Sequence, residues 1–254
     1  MKISFIGSGN VATHLALAFY NRGHKIQQIW SRSQDHAELL ANRVEAQPIS
    51  NIALLDTTAN IYIVAISDDA LYHIADSLHF GNALVLHTSG ATPIHVLKGT
   101  SSRYGVLWSP QTFVRDMALD YSELPFCIEG NTPNTENAIE EFIGMISQHI
   151  YHTNHQQRQY LHLSAVFVNN FTNVLYTIAQ DICHQQNVSF EILYPLILNT
   201  AKKAEWGDIR HQLTGPAARN DKKTLDAHRK LLANDKKTLD IYNEFTKLIQ
   251  QIKK

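Results

Sequence analysis

The part of the chain that most constrains its fold is a glycine turn close to the start, with the sequence GSGNVA from Gly7 to Ala12. The apolar run KISFI precedes it, and in the run NVATHLALAFYNRG that follows, apolar residues recur at helical spacing. A second apolar run, HKIQQIW, comes next. Because a strand, a helix and a strand in this order form a right-handed parallel crossover, the chain is predicted to open with a βαβ unit.

The same alternation continues through the first half of the chain. The runs NIYIVAI, ALVLHT and RYGVLW are apolar throughout, as expected for strands that are covered on both faces. LPFCIEG and SQHIYHT would complete the sheet around the helical run TENAIEEFIGMI. After Gln156 only helical runs follow, from about Arg158 to Gln186, from about Phe190 to Trp206, and in two shorter helices. We therefore predict an α/β fold, with a Rossmann-like doubly wound parallel sheet in residues 1–153 and an all-helical domain in residues 154–254.

Composition and charge exclude several classes of function. With 254 residues, of which 44% are hydrophobic, the chain can build a core without disulfides. Its two cysteines, Cys127 and Cys183, do not have metal-ligand spacing, and the formal net charge of −1 argues against nucleic-acid or membrane partners. No apolar run is long enough for a signal peptide or a membrane span. We expect a cytoplasmic protein that binds a small-molecule substrate and no metal.

The glycine turn also predicts a ligand. A glycine at position 7 permits the tight turn, and a glycine at position 9 removes the side chain that would keep a pyrophosphate from the backbone. The helix that begins here presents N–H donors and the positive end of its dipole to the phosphates. With a strand before it and a helix after it, the turn predicts a dinucleotide site, formed by Gly7, Ser8, Gly9, Asn10 and Val11. The alternative is a turn that only links strand to helix.

The end of the second predicted strand indicates which dinucleotide binds. Ser31, Arg32 and Ser33 stand there, where an acidic residue would accept a hydrogen bond from the 2′-hydroxyl of NAD. An arginine can instead pair with a 2′-phosphate, and the two hydroxyls can donate to its oxygens. We therefore predict NADP as the cofactor. In the alternative interpretation Ser33 simply caps the next helix.

Two further strand ends belong to the same edge of the sheet. After the third predicted strand come Ser67, which is expected to face the cofactor, and Asp68 and Asp69, of which one most simply caps a helix. The loop HTSGA follows the fourth strand, and its Thr88 and Ser89 are predicted to contact the nicotinamide or the substrate. Ser89 is also a candidate catalytic residue. A hydrogen-bonded turn is the structural alternative for this loop.

These motifs resemble those of a known family, the NADP oxidoreductases that pair a Rossmann-like domain with a helical C-terminal domain of unknown function. The family is similar in layout to pyrroline-5-carboxylate reductase and to the deazaflavin-dependent NADP oxidoreductases. The resemblance implies an NADP cofactor, a cleft completed by the helical domain, and a homodimer. It rests on motifs that occur in the same order along the whole chain: GSGNVA, SRS, HTSGA, PQTF, HLSAVFVNN and TGPAARND.

The chain departs from the family pattern in two places. Trp108, Ser109 and Pro110 stand where a His-Pro pair is expected, and Asn220 stands where the family has the glycine of an Arg-Gly-Asp sequence. The first change removes a potential proton donor near the cofactor. The loss of the His-Pro pair is not expected to affect cofactor binding.

The resemblance also implies candidate catalytic residues on the first long helix. Related dehydrogenases carry an asparagine there and, four residues earlier, a lysine, and this chain has Asn170 and Val166 at those positions. His162 lies eight residues before Asn170, roughly on the same helix face, and a histidine can donate or accept a proton near neutral pH. His162 and Asn170 are therefore candidates for orienting and protonating the substrate. In the alternative interpretation, His162 is a polar residue near the interdomain surface that titrates without a catalytic role.

The segment TGPAARND provides candidate substrate-binding residues, because Thr214 or Arg219 could reach the cleft and hold an anionic group. In the structural alternative Thr214 and Asp221 cap helices and Arg219 pairs with an acid. The sequence NDKKTLD occurs twice, at Asn220–Asp226 and Asn234–Asp240, and predicts two successive helix starts capped by Asn or Asp.

Together these features predict an oxidoreductase that transfers hydride between NADPH and a small carbonyl or imine substrate. The alternative is an NADP-binding sensor or scaffold without turnover, which the missing lysine and the missing His-Pro pair favour. The long apolar helices of the second domain, such as HLSAVFVNNFTNVLYTIA, predict a homodimer that buries them.

Overall fold

A single sheet is the framework of the N-terminal part of the chain. In the computed structural model, which describes residues 1–115 and 117–253, the sheet has eight strands in the order β3-β2-β1-β4-β5-β6-β7-β8. Neighbouring strands are parallel, except that β6 and β7 are antiparallel. This topology confirms the predicted Rossmann-like α/β fold. The strands are β1 (Lys2–Ile6), β2 (Lys25–Trp30), β3 (Gln47–Ile49), β4 (Ile61–Val64), β5 (Leu84–His87), β6 (Arg103–Trp108), β7 (Phe126–Gly130) and β8 (Ile150–His152).

Helices cover both faces of the sheet. Phe5 of β1 belongs to a core cluster in which Phe19 of α1 stacks on Phe142 of α4, with ring centroids 4.2 Å apart. The next residue of the strand, Ile6, belongs to a second cluster with Leu71 of α3. Because successive strand residues point to opposite faces, the two clusters form separate cores above and below the sheet. The helices in this part are α1 (Asn10–Asn21), α2 (Gln34–Ala41), α3 (Asp68–Ile74), α4 (Pro133–Ile143) and α5 (His155–Ala165).

The sheet differs from the prediction in two strands. β3 was not predicted, because it has only three residues and its central residue is Pro48, which sits in an edge strand where a missing N–H is tolerated. β7 runs antiparallel to β6, whereas the prediction had a parallel sheet. A parallel pair needs a helical crossover, and the described residues between β6 and β7 contain only a single 3₁₀ turn, Tyr121–Glu123.

The chain divides into two compact units, Met1–Val168 and Asn169–Lys254. The described part of the second unit is helical, as predicted, with α6 (Thr172–Gln185), α7 (Tyr194–Lys203), α8 (Gly215–Ala218), α9 (Lys222–Leu231) and α10 (Lys236–Ile252). The sheet ends at His152, beside the predicted domain boundary, and the two units separate one helix later, within a π-helical segment, Val166–Phe171. The boundary between residues 153 and 154 therefore stays a prediction. None of the described helices has the length and hydropathy needed to cross a bilayer.

The two copies of NDKKTLD both begin helices, as predicted. The Asp221 side chain accepts from the backbone N–H of Thr224 at the start of α9 over 3.1 Å, and Asp235 accepts from that of Thr238 at the start of α10 over 3.1 Å. Each aspartate also accepts from the hydroxyl of the same threonine. The repeat therefore encodes two equivalent helix N-caps. The final helix, with 17 residues, is longer than predicted.

Candidate functional site

A cleft of about 910 Å³ lies at the carboxyl ends of β1 and β4. The strand order reverses here, because β2 and β3 lie on one side of β1 while β4 and the later strands lie on the other. Open α/β sheets bind ligands at this kind of switch point. The cleft brings together ten of the eleven residues predicted to bind the cofactor, Gly7, Ser8, Gly9, Asn10, Val11, Ser31, Arg32, Ser67, Thr88 and Ser89, and the eleventh, Ser33, is not among its lining residues.

The two glycines of the turn have different physical reasons to be glycine. Gly7 has a φ of +122°, and a Cβ on it would overlap the carbonyl oxygen of Ala65 at the end of β4. Gly9 has a φ of −74°, and a Cβ on it would meet no atom of residues 1–115 or 117–253 within 4 Å. Packing therefore requires Gly7, whereas none of the described residues requires Gly9. A bound group that approaches the backbone closely would explain why position 9 is a glycine, so the turn fits a pyrophosphate.

The helix that starts at the turn is suited to an anion. The first turn of α1 carries no acidic residue, so the positive end of its dipole is not neutralised. The segment after β6 holds the turn in place, because the Asn10 side chain donates to the carbonyl of Phe113 over 2.8 Å. Arg115 Nη2 also donates to the carbonyl of Ser8 over 3.2 Å. The glycine turn is thus held at two points by one segment.

The end of β2 presents a cation and two hydroxyls. Ser31 is buried and is held by β3, since its backbone N–H donates to the Ile49 carbonyl over 3.1 Å. Arg32 is exposed, and its guanidinium has no hydrogen bond or ion pair with any residue of 1–115 or 117–253. Ser33 occupies the N-cap position of α2, yet its hydroxyl makes no capping hydrogen bond. The Arg32 side chain and the Ser33 hydroxyl therefore remain available to an anion.

The end of β4 corrects one prediction. Asp68 or Asp69 was expected to cap a helix, but α3 begins at Asp68 and Ser67 holds the N-cap position, with an extended backbone. Both acids lie in the first turn instead, where they interact favourably with the helix dipole. Ser67 makes no side-chain capping bond and faces the cleft, in agreement with its predicted orientation.

The loop after β5 uses most of its polar groups internally. Ser89 Oγ donates to Thr92 Oγ1 over 2.9 Å and accepts from the backbone N–H groups of Ala91 and Thr92, over 3.2 and 2.9 Å. This is the hydrogen-bonded turn named above as the alternative, and a hydroxyl with these partners has little capacity left for catalysis. Thr88 is half-buried in the cleft, and its hydroxyl has no partner among the described residues. Thr88 is therefore the available hydroxyl of this loop.

His162 lies outside the cleft lining. Its ring packs edge-on against the indole of Trp108, with centroids 5.9 Å apart and an interplanar angle of 74°. Trp108 itself is buried at the end of β6 and covers Gly90, where a Cβ would approach the indole to 2.6 Å. Trp108, the first residue of the segment where the His-Pro pair was expected, thus packs against the Thr88–Thr92 loop at Gly90. The acid–base role of His162 stays a prediction.

The other predicted site residues belong to the second unit. Asn170 is an exposed residue of the π-helical segment, and Thr214 holds the N-cap position of α8 without a side-chain capping bond. Arg219 follows α8 and is exposed. Asp221 caps α9, and the hydrogen bonds from Thr224, followed by the nearby charge of Arg219, lower the pKa of Asp221. The Asp221 cap agrees with the structural alternative for this segment, whereas Thr214 makes no side-chain capping bond and Arg219 forms no ion pair with the described residues. The substrate-binding roles of Thr214 and Arg219 stay predictions.

Several cleft residues were not predicted. Gln111 and Phe113 belong to the PQTF motif, which follows β6 and so reaches the same sheet edge; its position after a parallel strand could have identified them. Trp30, His73 and Ile74 also line the cleft, and nothing in their local sequence indicates it. Within the described residues, no group of three or more His, Cys, Asp or Glu side chains could hold a metal ion.

Comparison with known proteins places this geometry in a family. Residues 2–89 match the family described as NADP oxidoreductase coenzyme F420-dependent, and residues 124–249 match the Domain of unknown function (DUF2520). A candidate NADP oxidoreductase from Bacteroides fragilis is 34% identical, with a TM-score of 0.91 and 98% of each chain covered. The chain belongs to this family of two-domain NADP oxidoreductases. The family resemblance of its motifs is thereby confirmed.

More distant structures share the fold of this family. A pyrroline-5-carboxylate reductase from Coxiella burnetii is 15% identical, with a TM-score of 0.59 and 97% of each chain covered. An imine reductase from Myxococcus stipitatus, solved in complex with NADP⁺, is 12% identical, with a TM-score of 0.67, and the match covers 99% of this chain and 93% of the other. A comparison with curated proteins gave no match.

Proposed function

We propose that the protein is an NADP-dependent oxidoreductase that transfers hydride between NADPH and a small carbonyl or imine substrate. The observation that carries the proposal is the position of Arg32, which lines the same switch-point cleft as the glycine turn and whose guanidinium has no partner among the described residues. A turn that fits a pyrophosphate and a cation at the end of β2 together match the two phosphate positions of NADP. Family membership supports the same cofactor.

Each part of the cleft would bind a different part of the cofactor. The N–H groups at the start of α1 would hold the pyrophosphate, and Arg32 with Ser31 and Ser33 would hold the 2′-phosphate. In a doubly wound sheet the second mononucleotide lies over the strands beyond β4. Thr88 lines the cleft there, and its hydroxyl has no partner within residues 1–115 and 117–253. NADPH bound in this way would supply a hydride at the nicotinamide end.

The substrate class is proposed from the fold and the family together. The imine reductase from Myxococcus stipitatus and the pyrroline-5-carboxylate reductase from Coxiella burnetii share this fold. Both names denote reduction of a carbon–nitrogen double bond. A small imine is therefore the first substrate class to test, and a small carbonyl compound is the second.

The test has a binding step and a turnover step. NADPH and NADH are titrated against the purified protein by calorimetry, and NADPH oxidation is then followed at 340 nm with cyclic imines, ketones and aldehydes. We expect NADPH to bind at least about tenfold more tightly than NADH, since one charged contact distinguishes them, and at least one imine to be reduced. Equal affinity for the two cofactors would contradict the assignment of Arg32.

A second function is supported by one observation. The described titratable residues that line the cleft are Arg32, Asp68, Asp69 and His73, which lie after β2 or on α3, while the loop after β5 contributes only hydroxyls. Without a proton donor near the reacting end, the protein would bind NADP as a sensor or scaffold. Turnover with any imine or carbonyl that is abolished in His162→Ala would exclude this alternative.

We also propose that the protein forms a homodimer through its second unit. Helices α6 and α7 contain no buried residue, and large apolar side chains on them are exposed. Isolated helices of this length are not stable in water without an apolar face to pack. A second copy of the chain would cover them. The exposed apolar residues are Val174, Leu175, Ile182, Tyr194, Leu196 and Leu198.

Sedimentation velocity at micromolar concentration should show a dimer, and a monomer would refute the proposal.

A further inference from the structure

A buried arginine lies behind the loop that follows β5. Arg158, in the first part of α5, has no exposed side-chain surface. Its guanidinium forms an ion pair with Glu129 of β7 and donates from Nη1 to the carbonyl of Thr153 over 3.4 Å. From Nη2 it donates to the carbonyl of Thr92 over 3.2 Å. One side chain thus connects α5, the sheet and the end of the Thr88–Thr92 loop.

The connection continues from Thr92 to the cleft. Thr92 is buried, and its hydroxyl and backbone N–H both bond to Ser89 Oγ, over 2.9 Å each. The backbone N–H of Ser89 in turn donates to His87 Nδ1 over 3.2 Å. Thr88, whose side chain lines the cleft, lies between His87 and Ser89, which this hydrogen bond joins. The backbone on both sides of Thr88 is therefore held from beneath.

Arg158 also affects His87, which accepts the hydrogen bond from the Ser89 backbone. Burial, and next the positive charge of Arg158, lower the pKa of His87 to about 3. His87 is fully buried, and as a neutral ring it can accept a hydrogen bond at Nδ1. Burial, with the charge of Arg158 as a second contribution, thus keeps His87 in the form that accepts from the Ser89 backbone.

The energetics of the ion pair favour a positional role over a stabilising one. Removing two charges from water costs roughly what their attraction returns, so a buried ion pair adds little net stability compared with neutral residues of similar size. A planar guanidinium does fix the directions of its hydrogen bonds. The Thr92 carbonyl is the acceptor whose position matters for the cleft.

We propose that the Arg158–Glu129 ion pair is a positioning device that holds the Thr88–Thr92 loop, so that the Thr88 hydroxyl contacts the nicotinamide half of the cofactor. Arg158 and Glu129 are positioning residues, since neither lines the cleft. The inference rests on the proposed NADP function. It concerns one half of the cofactor only, because the adenosine half would be held by the glycine turn and Arg32.

The test compares two ligands that differ in the nicotinamide half. Adenosine 2′,5′-bisphosphate and NADPH are titrated by calorimetry against the wild type and the variant Arg158→Met/Glu129→Gln, which removes both charges together. We expect the affinity for the bisphosphate to stay within about twofold and that for NADPH to fall about tenfold, the effect of losing one hydrogen bond. Thr153→Val is the matched control, because it alters the same buried cluster without touching the Thr92 contact; both affinities should stay at the wild-type values.

The outcomes separate this inference from the proposed function. A wild type that binds neither ligand would refute the NADP assignment itself. A double variant that loses affinity for both ligands equally, or for neither, would overturn the positioning role alone. If the double variant does not fold, as judged by circular dichroism, Arg158→Lys takes its place, because it keeps a positive charge beside Glu129 but lacks the planar fork that also bonds to the Thr92 carbonyl. The same split between the two ligands is expected, and its absence would overturn the proposal.

Discussion

The two glycines of the N-terminal turn provide a matched pair of substitutions. A methyl group at position 7 would overlap the Ala65 carbonyl oxygen, and the φ of +122° is one that alanine rarely adopts. A methyl group at position 9 would meet no atom of the described part of the chain within 4 Å, and the φ of −74° is ordinary. Gly7→Ala should therefore damage the fold, whereas Gly9→Ala should damage only cofactor binding.

The magnitudes follow from these geometries. A strained backbone conformation combined with an overlap costs at least about 3 kcal/mol, which lowers the melting temperature of a chain of this size by about 6–12 °C. Replacing glycine by alanine at a helix N-cap costs less than about 1 kcal/mol, which lowers the melting temperature by less than about 4 °C. In Gly9→Ala the pyrophosphate would lose at least one charge-assisted hydrogen bond, and NADPH should bind about ten- to a hundredfold more weakly.

The assays are thermal unfolding followed by circular dichroism without ligand, and calorimetric titration with NADPH. If Gly9→Ala binds NADPH as tightly as the wild type, the pyrophosphate does not approach the turn. If Gly7→Ala melts at the wild-type temperature, the contact with Ala65 is not the reason for glycine at that position.

Three further predictions concern other parts of the chain. Arg32→Ala should weaken NADPH by at least about tenfold and NADH by less than about twofold; equal losses in the two titrations would show that Arg32 does not contact the 2′-phosphate. The hydrogen bond from His152 to Glu136, with the charges of Glu136 and Glu140, raises the pKa of His152, so the resulting stabilisation is present below about pH 6.5 and is lost as the pH rises through the raised value. In urea titrations at pH 5.5, His152→Gln should therefore lower the free energy of unfolding by at most about 1 kcal/mol, since the groups are partly exposed. At pH 9 the substitution should have no effect, and an equal loss at both pH values would contradict this. Asp235→Ala should remove the N-cap of α10 and cost about 1 kcal/mol in the same titrations, while unchanged stability would show that the cap contributes nothing.

The predictable parts of the structure are those encoded in adjacent residues. The glycine turn, the strand before it and the helix after it lie within one stretch of sequence, and both NDKKTLD helix starts depend on an aspartate and a threonine three residues apart. The carboxyl ends of parallel strands meet at one sheet edge, so Ser31, Ser67 and Thr88 could be placed together before the structure was known.

The features that were missed depend on contacts between distant residues. The three-residue strand β3 has no pattern of its own and forms because β2 offers a free edge. Ser89 looked catalytic in the sequence, and only the folded loop shows that its hydroxyl bonds to Thr92. The hydrogen bond from Arg158 to Thr92 joins positions 66 residues apart, and a single arginine in a helical run gives no sign that it is buried.

The most direct test of the central claim is a calorimetric titration of the wild-type protein with NADPH, repeated in the presence of saturating adenosine 2′,5′-bisphosphate. One cleft per chain, with separate positions for the pyrophosphate and the 2′-phosphate, predicts one NADPH per chain and loss of the binding signal when the bisphosphate is present. Absence of binding, or NADPH binding that the bisphosphate does not compete with, would contradict the assignment of this cleft as an NADP site.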